Sequence, residues 1–359
     1  MADVSAADAP VRRVALYPSE TVADAARKTI AFGIESVTLN RDAAASGDAE
    51  PLHQLRVASR RLRASIELFS GVVYAGQLKI YRRDIPWIAR LAGTVRECDV
   101  TAALLNDRAA KIEPELKESL APLLAALDER RRSGHAILYE MLDSKRFRNL
   151  IAKLSQPAIK KVGGARTLGA AAGQLIRAIA RSAMRFGGEL DNQAPAAAFH
   201  KLRVRIKRLR YALEMFKPLG GKRHKRTLAR LEELQESLGQ YHDVTVASAW
   251  LLQYAETSGA PPKTVLAAGA LIQLLARREA KLRRRCVKAW RRFERSETMR
   301  DTLQEIRSAG RLALRPVTSA ESNPEPVAAH SESAPHELNG AQPTERDSTV
   351  ALSAADVSA

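Results

Sequence analysis

The same arrangement of charged and apolar positions occurs twice in the chain, in residues 53–63 and, 147 residues later, in residues 200–210. At about 100° per residue, an α-helix would gather the charged positions of each copy into an arc of roughly 80°. We call these two sets the basic stripes: His53, Arg56, Arg60 and Arg63, then His200, Arg203, Lys207 and Arg210. The opposite faces are apolar, with Leu55, Leu62, Ile66 and Phe69, then Leu202, Leu209, Leu213 and Phe216. We therefore predict two amphipathic helices whose apolar faces are buried and whose basic stripes face one elongated polyanion.

Glycine and proline residues divide the rest of the chain into further helical segments. Thr21 is a predicted N-cap, Pro51 and Pro195 are predicted to open the two striped helices, and Pro86 permits a kink. The predicted helices span about 21–41, 51–71, 76–107 (one or two helices), 113–148 with a short segment to 154, 168–190, 195–219, 225–258, 262–295, and a last one ending near 310. No stretch shows strand-like alternation of useful length, so the predicted fold is all-α.

A second repeat extends the duplication beyond the stripes. Residues 93–97 (Gly-Thr-Val-Arg-Glu) match residues 239–243 (Gly-Gln-Tyr-His-Asp) at an offset of 146. An offset of this size indicates a duplicated helical domain and not a short-repeat solenoid. We predict one domain over 15–310 with halves at about 15–156 and 166–310, a flexible N-terminus at 1–14, and a disordered acidic tail at 311–359.

Charge narrows the class of partner. The net charge is +18, and residues 317–359 hold seven acids against one arginine, which leaves +24 on residues 1–316. Such a field favours an anionic partner: nucleic acid, an anionic membrane face or a phosphate polymer. The two cysteines, Cys98 and Cys286, indicate a reduced cytoplasm. No apolar run of membrane-spanning or signal-peptide length is present, so neither a membrane span nor secretion is expected, and a membrane is not among the predicted partners.

The two stripes and the two glycine segments resemble the CHAD family of helical, histidine-containing domains. The matching motifs are H-x-x-R-x-x-x-[RK]-[RK]-x-R at His53 and His200, each followed by G-x-x-[RH]-[DE] at Gly93 and Gly239. The resemblance covers about residues 15–310. It implies two helical bundles related by pseudo-twofold symmetry around a basic central channel, binding of inorganic polyphosphate, no cofactor and no catalytic activity. His242 and Glu97 depart from the family, which more often has Asn and Asp there.

The resemblance assigns polyphosphate binding to the eight residues of the basic stripes. Four cations that follow the striped helices are added because they occur after the stripe in both halves, where they would widen the same surface: Arg82, Arg83, Lys222 and Arg226. Glu67 and Glu214 lie four residues after Arg63 and Arg210 and are predicted to form intrahelical ion pairs. Further basic residues in the long helix after Pro262 are as consistent with a solvated face as with binding. The family also suggests an association with polyphosphate granules.

Several other interpretations are open. Each stripe could be a solvated helix face, and His53 and His200 could simply cap or pack at a helix start. A metal site is disfavoured because the neighbouring stripe positions are cations, and residues 113–117, which spell E-x-E-x-K, lie in a proline-containing helix start and not in a strand. A nucleic-acid binder suits the charge, although aromatic residues make up only 5%. A triphosphate- or polyphosphate-processing enzyme is a third class, but no phosphate-loop, H-E-x-x-H or G-x-S-x-G motif is present.

Overall fold

The computed structural model describes residues 14–45, 49–160 and 166–312, and these residues fold into helices joined by short connections. The first seven helices are α1 (Val22–Leu39), α2 (Arg41–Ala45), α3 (Ala49–Leu68), α4 (Ala75–Ala109), α5 (Pro114–Glu118), α6 (Ala121–Asp143) and α7 (Lys145–Ser155). The other five are α8 (Leu168–Gly188), α9 (Ala196–Met215), α10 (Lys222–Thr257), α11 (Pro262–Arg295) and α12 (Thr298–Leu312). Two isolated β-bridges and no strand occur in the described ranges, so the all-α prediction is confirmed.

The predicted end segments are outside this description. Residues 1–13 and 313–359 are not described, and they include nearly all of the predicted N-terminal segment and acidic tail. The predicted domain limits and half boundaries stay predictions.

Local sequence signals explain where several helices begin. The Thr21 hydroxyl accepts a hydrogen bond from the Asp24 amide at 3.0 Å, as the N-cap prediction requires. Pro51 lies in the first turn of α3, and Pro195 directly precedes α9. Pro86 lies inside α4, which is one helix of 35 residues. The predicted helix at 113–148 is wrong in detail, because the chain there forms α5, α6 and the start of α7.

The duplication is visible in the helix boundaries and contacts. Helix α9 begins and ends 147 residues after α3, and helix α10 begins 147 residues after α4. The equivalent helices contact each other, α3 with α9 and α4 with α10. Thr21 and Thr167, the N-caps of α1 and α8, form an antiparallel bridge, with Val22 N–H donating to Arg166 O at 3.1 Å and Leu168 N–H to Glu20 O at 2.7 Å. Contact between equivalent elements is what a pseudo-twofold axis produces.

The apolar faces of the striped helices are buried as predicted. Leu55, Leu62, Ile66 and Phe69, and Leu202, Leu209, Leu213 and Phe216, are all at most 2% exposed. Burying a side chain of this size stabilises the fold by about 1.5–3 kcal/mol. One core cluster lies within the first half, whereas the other joins the second half to first-half residues such as Phe69, Cys98 and Leu105. This packing fixes the rotation of α3 and α9 and so directs both stripes away from the cores.

In the described part of the chain, no helix is both long enough and apolar enough to cross a membrane bilayer.

Candidate functional site

A cavity of about 270 Å³ lies between α3, α4, α9 and α10, where the two halves meet. Helices α3 and α4 supply six charged lining residues: Arg56, Arg60, Arg63, Glu67, Arg96 and Glu97. Helices α9 and α10 supply His200, Arg203, Lys207, Arg208, His242 and Asp243. We call this space the central cavity. Cations outnumber carboxylates in its wall, and each half contributes to both groups.

Six of the eight stripe residues line the central cavity: Arg56, Arg60, Arg63, His200, Arg203 and Lys207. His53 is half-buried just outside, near enough to the cavity arginines to feel their charge. Arg210 does not line the cavity. The burial of the apolar faces therefore turns the two stripes toward a common space.

Five of the lining cations lack a carboxylate partner. Among the described residues, no salt bridge within 4 Å is made by Arg56, Arg60, Arg96, Arg203 or Lys207. The buried Nε of Arg203 also has no hydrogen-bond acceptor. Buried charge without a partner is costly to a protein, so a concentration of it in one cavity indicates a site built for an anion.

Backbone oxygens hold two of these arginines in place. Arg56 Nη1 donates to the carbonyls of Ala92 and Gly93 at 3.0 Å each, and Arg60 Nε donates to the Arg56 carbonyl at 3.3 Å. These acceptors orient the guanidinium groups without neutralising their charge, and their other N–H groups stay available to a ligand.

Gly93 and Gly239, the first residues of the two repeated glycine segments, do not mark points of close helix approach. A Cβ added at Gly93 would meet only Arg56 Nη1, at an ordinary 3.7 Å, and one at Gly239 would meet nothing within 4 Å. No neighbouring helix backbone is close enough to require glycine at either position.

Glu67 connects the two stripes at one end of the cavity. Its carboxylate lies 3.1 Å from Arg63 Nε, the predicted i,i+4 pair, and 3.1 Å from Arg208 Nε on α9. Arg210 forms the equivalent predicted pair with Glu214 at 3.2 Å and also contacts Glu232 at 3.5 Å. Both predicted intrahelical ion pairs are confirmed. Among the described residues, the positive charges of Arg63 and Arg210 are therefore balanced by neighbouring carboxylates, unlike those of the other stripe arginines.

Lys207 has the most perturbed protonation in the cavity. Burial is the main cause that lowers its pKa to about 6, and the positive charges of Arg203, Arg60 and Arg56 lower it further. Asp243 opposes this shift only weakly, and burial raises the pKa of Asp243 itself. At neutral pH this lysine is therefore mostly uncharged, and an anion bound beside it would restore its proton.

The histidines respond to the same surroundings. Burial, followed by neighbouring cations, lowers the pKa of His200 and lowers that of His242 to about 3. Their rings lie 5.1 Å apart, and for His53 burial is again the first cause of a lowered pKa. All three are neutral hydrogen-bonding groups at neutral pH. In the described residues no group of three or more His, Cys, Asp and Glu side chains is placed to hold a metal ion.

The four predicted cations outside the stripes do not line the central cavity. Arg82, Lys222 and Arg226 are exposed near the starts of α4 and α10. Arg83 is occupied elsewhere: with Arg146 it holds the buried carboxylate of Asp84, at 2.7 and 2.5 Å. The prediction that these residues widen the same surface receives no support from their positions.

Three lining residues were not predicted from the sequence as binding residues: Arg96, Arg208 and His242. A signal existed for two of them, since Arg96 and His242 occupy the fourth position of the repeated glycine segments. Arg208 is next to Lys207 but lies about 100° away around the helix, outside the stripe arc, so helix periodicity alone would place it elsewhere.

The E-x-E-x-K segment forms no metal site of the strand type. Glu113 precedes α5 and residues 114–118 are helical, so adjacent glutamates of the segment do not share a face.

Comparisons with known proteins agree with this architecture. The family model of the CHAD domain matches residues 29–252, more than half of the chain. The solved structure of the CHAD domain from the plant Ricinus communis is similar, with 24% identity and a TM-score of 0.64 over 80% of this chain and 97% of that one. PptA from Streptomyces chartreusis is similar at 21% identity and a TM-score of 0.63, over 76% of this chain and 100% of that one. No curated protein matches by sequence.

Proposed function

The chain belongs to the CHAD domain family, and from this premise we propose that it binds inorganic polyphosphate in the central cavity, without catalysing a reaction on it. One observation carries the proposal: four arginines and Lys207, drawn from both halves, converge on one cavity, and none of the five has a carboxylate partner within 4 Å among the described residues. A chain of phosphates supplies negative charge repeatedly along its length, and so it can pair with basic residues from both halves at once.

The mechanism of binding is charge pairing with release of counterions. Arg56, Arg60, Arg96 and Arg203 offer forked donors to successive phosphate oxygens, and Lys207 offers a protonated point charge once the ligand is present. His200 and His242 donate or accept hydrogen bonds at the wall beside them. Glu67 forms ion pairs with Arg63 and Arg208, and these pairs neutralise part of the positive charge at one end of the cavity.

The two buried, free cysteines support the further proposal that the protein works in the reducing cytoplasm, where polyphosphate granules would be its cellular setting. The granule part of this proposal follows from the ligand and from the family resemblance alone.

A competition titration tests the ligand class. We expect long-chain polyphosphate to bind the full-length protein. Duplex DNA or RNA at equal phosphate concentration should displace little of it, because a rigid duplex is too wide to enter the central cavity, whose volume is about 270 Å³. Isothermal titration calorimetry at several salt concentrations measures both. Displacement by nucleic acid at parity would favour the nucleic-acid binder instead. Release of phosphate from polyphosphate or triphosphate in the presence of Mg²⁺ or Mn²⁺ would contradict the absence of catalysis.

A further inference from the structure

The solvent face of α11 carries a straight row of cations that the central cavity does not use. The row consists of Arg277, Lys281, Arg284, Lys288, Arg291 and Arg295, all exposed. Steps of four and three residues keep these positions within an arc of roughly 80°, and the row runs about 27 Å along the helix axis. We call it the α11 row.

The charges of the α11 row are not compensated within the protein. Among the described residues, none of the six makes a salt bridge within 4 Å, although α11 also contains acidic residues. Glu279 pairs with Arg283 and accepts a hydrogen bond from Tyr241, both on the packed side of the helix. The row therefore combines self-repulsion with full access to solvent.

The duplicated fold does not require this row. The buried positions of α6 and α11 coincide at an offset of 148: Leu123, Leu127, Gly134, Leu138 and Leu142 match Leu271, Leu275, Leu282, Cys286 and Trp290. At that offset, the first five positions of the row correspond to Glu129, Ser133, Ala136, Glu140 and Asp143, which are all exposed. The same structural positions are thus acidic or neutral in one half and basic in the other.

The side chains around the row narrow the kind of anion. Trp290 and Phe293, the two aromatic residues between 277 and 295, are only 1% and 2% exposed. Residues 277–295 therefore offer no exposed aromatic ring for stacking of nucleotide bases or for insertion into a lipid interface. A straight line of cations about 5 Å apart fits a flexible linear phosphate chain, which can straighten along it, better than a duplex, whose strands wind away from a line.

From these observations we propose that the α11 row is a second, external binding track for long-chain polyphosphate. This inference rests on the proposed function of the central cavity. A short oligophosphate is held in the cavity, whereas a long chain is also bound along α11. The second contact raises the effective concentration of the chain at the protein, so affinity increases with chain length.

The sister helix supplies a matched variant that tests the track. Replacing five residues of the row by their α6 counterparts gives R277E/K281S/R284A/K288E/R291D, which keeps every buried residue of α11. We expect its affinity for tripolyphosphate to stay within about twofold of the wild type. Its affinity for long-chain polyphosphate should fall at least tenfold, and the slope of log affinity against log salt should become shallower by about 3.5, since five cations at about 0.7 each no longer release counterions.

The outcomes separate this inference from the proposed function. An unchanged long-chain affinity and salt slope in the α11 variant, with the wild type binding both ligands, would overturn the track and leave the cavity intact. Loss of binding to duplex DNA or to anionic vesicles, with long-chain polyphosphate unaffected, would also overturn it. If the wild type binds neither polyphosphate, it is the proposed function that fails. Should thermal unfolding show that the fivefold variant is not folded, R284A/R291A gives the same test with a slope change of about 1.4.

Discussion

Replacing Arg60 and Arg203 together by Glu is expected to weaken the binding of long-chain polyphosphate roughly a thousandfold. These arginines face the central cavity from different halves, and neither has a carboxylate partner within 4 Å among the described residues. Each reversal removes a charge-assisted contact and adds repulsion, at a cost of about 2 kcal/mol per site. The two costs together, about 4 kcal/mol, correspond to about three orders of magnitude in Kd. Calorimetric titration at moderate salt measures the change.

The matched control is R82E/K222E. It changes net charge by the same amount at exposed sites near the starts of α4 and α10, outside the cavity wall. We expect it to lower affinity by less than about fivefold, the loss that a weaker overall field produces. Equal losses in the two variants would mean that polyphosphate senses total charge and not the cavity. The variant R60Q/R203Q removes the two charges without reversing them, and its affinity for long-chain polyphosphate should fall at least tenfold. It provides the same test if the charge-reversed variant does not fold.

Binding is also expected to take up a proton and to strengthen as the pH falls. The pKa of Lys207 is lowered to about 6, mainly by burial, so at pH 7–8 this lysine is mostly neutral before a phosphate chain binds. A bound phosphate chain raises that pKa, because negative charge favours the protonated form. Between pH 8 and 6 affinity should therefore increase by up to about tenfold per pH unit. Below pH 6 the free protein is already protonated at Lys207, and the contribution of this residue levels off.

Calorimetry in two buffers of different ionisation enthalpy measures the proton directly. At pH 7.5 we expect uptake of close to one proton by the wild type. Lys207→Arg is the control, because an arginine keeps its charge at this pH and should bind with little or no proton uptake. Buffer-independent binding enthalpies in the wild type would contradict the assignment to Lys207, and so would an unchanged uptake in Lys207→Arg.

Helix periodicity predicted the faces of α3 and α9 because burial on one side determines what lies on the other. Leu55 and Leu202 are fully buried, and the next residue in each helix, about 100° further around the axis, is then Arg56 or Arg203 at the cavity. The duplication predicted that the two faces would meet, since equivalent elements pair across a pseudo-twofold axis. For these residues, sequence alone was sufficient to place the side chain, whereas their role in binding stays a prediction.

Periodicity was insufficient wherever a side chain is captured by a residue distant in sequence. Arg210 lies in the second stripe but contacts Glu232 on α10. Arg83 contacts its neighbour Asp84, whose buried carboxylate also binds Arg146, 62 residues further along the chain. Arg208 reaches Glu67 on the other half and so reaches the cavity edge from outside the stripe arc. Long arginine side chains span several ångströms, so tertiary partners decide their final positions.

The charge of the α11 row shows a different limit. The sequence identified a basic cluster after Pro262, yet clusters of this kind are equally typical of a solvated face. Only the structure shows that no carboxylate within the described residues pairs with these cations, and that the corresponding positions of α6 are acidic or neutral.

The most direct test of a polyphosphate site between the two halves is a crystal structure of the protein with a bound oligophosphate. The account predicts phosphorus density between α3 and α9, with phosphate oxygens within hydrogen-bonding distance of Arg56, Arg203 and Lys207. Density confined to the outer surface, with these three side chains free of phosphate in the same crystal, would contradict it.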